Sequence, residues 1–264
     1  MKKRLFTILA VAAMAFVGCN KDDDKTIDNL EEKIIGKWMA SEWGGQPLPT
    51  NDKRVYTFVS TTKAYMSASL NSRPDIATQW NNQMEVAVAI NGNNMTLTSH
   101  PDEHTTIVEE LTVTAISGNE FTADFKITST VDGNQVLNEE YTMRLVKVTA
   151  DYSSAILGKW ECQELTGIET YNDANARLEF FADGTYNYWR KNTAGEWEAV
   201  TNREFQNYFV DGTLLATRWK NQGEEELREW WEIASLNGNE MQWTALRAAE
   251  GGTVVQTMKW VKVN

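Results

Sequence analysis

The chain is poor in the groups that most often carry chemistry. It has two histidines, His100 and His104, both in one short segment, and two cysteines, Cys19 and Cys162. Two cysteines cannot build a disulfide framework. No Gly-x-Ser-x-Gly, no Cys-His pair and no phosphate-cradling glycine loop occurs. Cations are scarce too, with 25 Lys and Arg against 37 Asp and Glu and a net charge of −12. Nucleic acid and anionic lipid headgroups both require clustered cations, so this composition argues against either as a surface partner. Paired carboxylates are abundant, but an acidic surface accounts for them. The composition predicts no enzyme and no cofactor.

The apolar run from Leu5 to Gly18 follows a basic head, Met1-Lys2-Lys3-Arg4. It is shorter than the roughly twenty residues a membrane-spanning helix needs. A basic head, a short apolar run and small residues at its end predict a signal peptide over residues 1–18. The junction Phe16-Val17-Gly18-Cys19 resembles the lipobox of bacterial lipoproteins, although that family usually has leucine where Phe16 stands. The resemblance implies that Cys19 is diacylglycerylated and becomes the N-terminus. Several acyl chains make such an anchor stable. Removal of the signal leaves 22 basic and 37 acidic residues, a net of −15. Residues 19–26, with Asp22-Asp23-Asp24, predict a solvated tether. The stretch also resembles the acidic tags that send some Gram-negative lipoproteins to the outer face of the outer membrane; the alternative is a plain charged spacer. With Cys19 lipidated, no second cysteine is left for a disulfide, and Cys162 is predicted to be a small buried apolar residue.

The strongest internal signal is a repeat. Ile35-Gly36-Lys37-Trp38 returns as Leu157-Gly158-Lys159-Trp160, and Phe58 to Tyr65 is echoed by Phe180 to Tyr186. Asn91-Gly92 is echoed by Asp211-Gly212, and Gly118-Asn119-Glu120 by Gly238-Asn239-Glu240. The copies close on Met143 to Val148 and Met258 to Val263. The order is kept throughout, which predicts one domain over 27–149 and a second over 155–264, held close by a short joint. Alternating runs at 83–90, 94–98, 105–116, 120–128 and 136–148, with hairpin signals between them, predict short antiparallel strands. A short helix over Leu30 to Ile34 is expected, capped by Asp28.

Gly36-x-Trp38 and Gly158-x-Trp160 open their domains as Gly-x-Trp opens a lipocalin's first strand. On these residues the chain resembles the broad lipocalin-like domains of secreted bacterial lipoproteins. The resemblance implies an all-β fold of two tandem eight-stranded antiparallel lipocalin-like (calycin-type) β-barrels. It also implies that each Trp packs across a closed barrel end, with an arginine near the last strand over it. Arg144 is the candidate in the first copy, and Lys259 stands at the matching place in the second. The long loops Gly44 to Asp52 and Thr166 to Asn175 are, by the same resemblance, candidate lids over the open mouths.

Strand alternation places Glu42 with Trp38 and Glu164 with Trp160. Each carboxylate then points into its barrel as a polar ligand contact, unless a bulge turns it outward. Eight of the eleven tryptophans lie in the second copy, and adjacent Trp230 and Trp231 must face opposite ways. Trp189, Trp219, Trp230 and Trp231 are either core or a platform for a glycan or small apolar-faced ligand. His100-Pro101-Asp102-Glu103-His104 has zinc-type donors, but Pro101 and the lack of histidine in the second copy favour a solvated turn over a metal site. Two readings follow: a surface-anchored binding protein using mainly the second domain, or an accessory lipoprotein contacting an envelope protein partner.

Overall fold

The computed structural model describes residues 27–68, 80–167 and 175–264. The signal segment, the tether with Cys19, and most of the loop Thr166 to Asn175 lie outside the described residues. The protein is all-β, in two antiparallel sheets that follow the two halves of the repeat.

A four-residue helix, α1 (Leu30–Lys33), precedes the first sheet. The residue at its N-terminus is Asn29, in a left-handed conformation with no side-chain cap, so the expected Asp28 cap is not formed. The sheet then runs through β1 (Gly36–Trp43), β2 (Gln46–Pro47), β3 (Arg54–Phe58), β4 (Lys63–Ala68), β5 (Asn81–Asn91), β6 (Asn94–Ser99), β7 (Thr105–Ile116), β8 (Glu120–Val131) and β9 (Asn134–Lys147). Each strand from β3 onward pairs with the next, and β9 returns to β1, from Trp38↔Lys147 to Trp43↔Met143. Leaving aside the two-residue β2, this is a closed eight-stranded up-and-down barrel, the architecture of lipocalins.

The second sheet contains β10 (Gly158–Thr166), β11 (Ala176–Phe180), β12 (Tyr186–Lys191), β13 (Trp197–Ala199), β14 (Arg203–Asp211), β15 (Leu214–Asn221), β16 (Glu226–Asn237), β17 (Glu240–Ala249) and β18 (Gly252–Val263). It repeats the first with one departure. In the first barrel β4 and β5 share a ladder that begins at Lys63↔Ala87 and runs through Ala64↔Val86 to Ala68↔Asn81. The counterpart of that first rung is Thr185↔Asn207, an isolated bridge just ahead of β12. Beyond it β13 folds back on β12, from Trp189↔Ala199 to Lys191↔Trp197, and occupies the edge that β14 would need. The second sheet is therefore a curled, incompletely closed barrel with a seam between β12 and β14.

The repeated motif has a repeated structural job. Trp38 Nε1 donates to the Ile34 carbonyl and Trp160 Nε1 to that of Ile156, both at 2.6 Å, and both indoles are fully buried. A lysine ammonium caps each ring: Lys147 Nζ lies 5.1 Å from the Trp38 centroid and Lys262 Nζ 5.2 Å from that of Trp160. The cation over the ring is thus a lysine of the closing Val-Lys-Val, and Arg144 is not involved; it pairs with Glu42 and Glu120 on the outer face, each at 2.5 Å. Gly36 and Gly158 have φ of +127° and +108°, and a Cβ there would press on the Lys147 and Lys262 stems. Glycine lets the chain turn into the first strand while the lysine crosses it.

The halves are joined by more than the linker. A third apolar cluster combines Met39 and Val55 of the first barrel with Phe209, Leu214, Ala216 and Trp230 of the second, and Trp80 packs on it. Lys37 bonds Asp211 at 2.5 Å and Asp151 at 3.2 Å, and Lys53 bonds Glu232 at 2.5 Å. Burial alone would lower the Lys37 ammonium, but the two aspartates hold its pKa above the ordinary value. Gly212, at φ +64°, sits so close to the joint that a Cβ would approach Val148 Cγ1 to 2.5 Å.

Candidate functional site

The two barrels differ most inside. In the first, β3 points Arg54, Tyr56 and Phe58 inward, and β7 points Glu109 at them. Arg54 Nη1 donates to Glu109 Oε1 at 2.7 Å, and the Tyr56 hydroxyl donates to the same oxygen at 3.0 Å. All three are buried, and they fill the barrel together with Phe125, Met66 and Met95. Burial pushes the Glu109 carboxyl up, with Arg54 and Tyr56 opposing. Burial also works against the Arg54 charge, but Tyr56, Tyr141 and Glu109 keep its pKa above the ordinary value.

Registers carry these positions into the second barrel. Gly36↔Phe58 matches Gly158↔Phe180, so Ala176 and Leu178 stand where Arg54 and Tyr56 stand. Leu97↔Glu109 matches Thr217↔Glu229, so the carboxylate is retained as Glu229. Replacement of an arginine by an alanine removes the filling and leaves a cup of about 530 Å³. That size lies within the range of small-molecule sites, roughly 300–1,000 Å³.

Trp219, Trp231, Trp243, Trp260, Tyr186 and Tyr188 give the cup its aromatic wall, and Leu165, Leu178 and Met258 add apolar surface. Four arginines, Arg190, Arg203, Arg228 and Arg247, line the cup, and three of them lie against its rings. Arg203 stacks between Tyr188 and Trp219, at 4.9 and 5.1 Å from their centroids. Arg190 Nε donates to the Tyr188 hydroxyl at 2.7 Å. Arg247 lies 4.7 Å from the Trp231 centroid and 3.3 Å from Glu229 Oε1. Burial lowers the pKa of Arg203, with Arg190 adding repulsion, and burial lowers that of Arg247 against the pull of Glu229. Burial likewise raises the Tyr186 phenol.

The mouth is shared between the domains. The loop expected to cover the first barrel carries a 3-10 turn, Thr50–Asp52, that packs on the second. The Leu246 amide donates to Thr50 Oγ1 at 2.8 Å, Arg247 donates to Asn51 Oδ1, and Asn51 lines the cup. Gly44 to Asp52 thus reaches both units: Leu48 is buried in the core of the first barrel, and Thr50 and Asn51 bond to the second.

The sequence candidates divide. Trp219 and Trp231 line the cup. Trp230 faces the other way, as alternation requires, but it is fully buried against Phe209 and Trp80 in the contact between the domains and offers no platform. Trp189 lies on the outer face of β12, because Tyr186, Tyr188 and Arg190 take the inner one; Lys159 Nζ sits 5.1 Å from its ring centroid. Glu42 and Glu164 do not enter their barrels. Ser41 and Gln163 are extra residues in bulges against β9 and β18, which turn both carboxylates outward. There Glu42 meets Arg144, and Glu164 meets Lys259 at 2.6 Å. The His100 to His104 turn is tied internally: Asp102 accepts from the Thr105 amide, His104 Nδ1 bonds Asp132 at 2.8 Å and His100 Nδ1 bonds Thr106 at 3.2 Å. Cys162 is buried beside Trp260 in the core.

Sequence reasoning missed Arg190, Arg203, Arg247, Tyr186, Tyr188, Glu229 and Asn51. Alternation along 186–190 could have flagged the Tyr-x-Tyr-x-Arg face of β12. Nothing local could have brought Asn51 to the second domain.

An all-β, twin-barrel protein with one filled interior and one aromatic cup is the class that these features define. No protein-family model matches the chain, and no curated protein matches it by sequence. Among solved structures it is similar to a mutant of the vaccine antigen Transferrin Binding Protein B from Haemophilus parasuis Hp5. The identity is 9%, the TM-score is 0.23, and the match covers 83% of this chain and 62% of that one.

Proposed function

We propose that the chain is a non-enzymatic binding protein, tethered by a lipid on Cys19 at the outer membrane and exposed at the cell surface, that takes a small ligand into the cup of its second barrel. One observation carries this reading. At matched positions Arg54 and Tyr56 plug the first barrel, while Ala176 and Leu178 leave the second hollow. A cup with aromatic walls and a few polar groups suits a ligand with an apolar face. The lipobox-like junction supports the anchor, and the acidic stretch after Cys19 supports surface exposure.

The ligand test is a titration of the full chain with apolar and glycan probes, followed by tryptophan fluorescence, in parallel with Ala176→Trp. A large ring at Ala176 is expected to fill the cup and abolish binding while the protein still melts cooperatively. Binding unchanged in that variant would overturn the reading, and co-purification of an envelope protein in place of any ligand would put the accessory role first. For the anchor, mass spectrometry of native protein should find an acylated N-terminal Cys19; a mature N-terminus elsewhere would exclude it.

A further inference from the structure

The charge inside the cup is opposite in sign to that of the protein as a whole. The chain has a net charge of −12, yet Arg190, Arg203, Arg228 and Arg247 line this cavity against Glu229. Arg228 bonds Glu226 at 2.5 Å, Arg247 faces Glu229 at 3.3 Å, and Arg190 donates to the Tyr188 hydroxyl at 2.7 Å. Arg203 has no carboxylate partner among the described residues. Its hydrogen bonds go to neutral acceptors, Gln206 Oε1 at 2.8 Å and the Tyr186 hydroxyl at 3.5 Å. Its Nε is buried without an acceptor. A guanidinium cannot shed its proton to relieve this, because arginine stays charged in proteins. Withdrawing a charge from water without a counter-ion is costly, and a bound anion would remove that cost.

The position of Arg203 suits this role. It begins β14, beside the seam where β14 fails to pair with β12, and its side chain lines the cup. The guanidinium carbon lies between the Tyr188 and Trp219 rings, which limits its rotation. Leu165, Leu178, Met258, Trp243 and Trp260 supply the apolar remainder of the wall.

Resting on the cup being the ligand site, we propose that its ligand is an amphiphilic monocarboxylate, with the head bound by Arg203 between Tyr188 and Trp219 and the apolar body against the tryptophan wall. A carboxylate matches the planar fork with two parallel hydrogen bonds. The Arg203 guanidinium balances one negative charge, and Glu229 on the same wall disfavours a dianion.

Three probes with the same chain test this on the full protein by tryptophan fluorescence: dodecanoate, dodecanol and dodecyl phosphate. Dodecanoate is expected to bind at least about tenfold more tightly than dodecanol, as a charge-assisted pair in a partly desolvated site should. Arg203→Met should erase that ratio while leaving dodecanol affinity in place, and Arg203→Lys should restore it only in part, since an ammonium lacks the fork. The dodecanoate-to-dodecanol ratio in the unaltered protein decides the matter even if Arg203→Met fails to fold. Equal binding of the two would overturn the headgroup assignment and leave the cup as a ligand site. Tighter binding of dodecyl phosphate would overturn the choice of carboxylate. Silence toward all three, alongside neutral-glycan binding that Ala176→Trp abolishes, would overturn this inference alone. Silence toward every probe would overturn the ligand site as well.

Discussion

The first barrel and the second share one scaffold and differ in what fills it. Both open with a glycine at positive φ, a tryptophan bonded back to a carbonyl four residues earlier, and a closing-strand lysine over the indole. Both bulge one turn later and pair the displaced glutamate with a cation on the last strand. The divergence that matters for the cup lies in the upper interior and at one seam. There Arg54 becomes Ala176, Tyr56 becomes Leu178, and a full β4–β5 ladder becomes one bridge with β13 folded into the gap. The comparison teaches that the parts which close the bottom of a barrel can be copied unchanged while the parts that decide whether it is hollow vary freely. The first set is common to both barrels, and the second sets how much interior space is left.

The comparison breaks most sharply if the shared scaffold is not shared in energy. Trp38→Ala and Trp160→Ala should each destabilise their own barrel by about 3–5 kcal/mol, the usual cost of emptying a buried aromatic site. Chemical denaturation with a probe in each half checks this, and a small loss in only one half would show that the two bases are not equivalent.

Next comes the filled interior. Arg54→Met leaves Glu109 buried without its cation and should cost about 3 kcal/mol or more. Arg247→Met, which removes the rim partner of Glu229, should cost about 1 kcal/mol or less because that glutamate reaches water. Similar losses for both would mean that the second interior is as closed as the first.

The contact between the barrels gives a smaller effect. Gly212→Ala must place a Cβ against Val148 at a positive φ, and about 1–3 kcal/mol of strain is expected there. Differential scanning calorimetry should show one coupled transition splitting into two as the halves uncouple. If the melting profile is unchanged, the hairpin at Gly212 does not hold the halves together.

The smallest effect is one of pH. The Lys37 pKa is raised above 10.5 in the folded protein, so its pairing with Asp211 and Asp151 contributes in full below pH 10.5. That contribution is lost as pH rises through the folded value. Coupling between the two melting transitions should therefore be constant near neutrality and weaken above pH 10.5. Lys37→Met should remove this dependence, and an identical alkaline loss in that variant would assign it to other groups.

The repeat, the all-β class and most strand limits were legible in the sequence. Alternation and turn residues are local signals, and β7 falls on 105–116 as the pattern predicts. The opposed faces of Trp230 and Trp231 follow from alternation alone. What covers Trp230 does not, because Phe209 and Trp80 arrive from other strands and another domain. Alternation left Glu42 and Glu164 either inside their barrels or turned out by a bulge, and the structure has the bulge, a single extra residue that leaves no signature in composition.

The sequence by itself determined two copies of one antiparallel barrel, because side-chain period and the Gly-Lys-Trp and Val-Lys-Val ends are properties of contiguous residues. Only the tertiary structure decided that one copy is plugged and the other hollow. That outcome turns on whether side chains from β3 and β7, or from β11 and β16, meet across the interior, and on a loop of the first half reaching the second barrel's mouth. Such meetings depend on strand register and on how the two barrels dock, and no stretch of contiguous sequence encodes either.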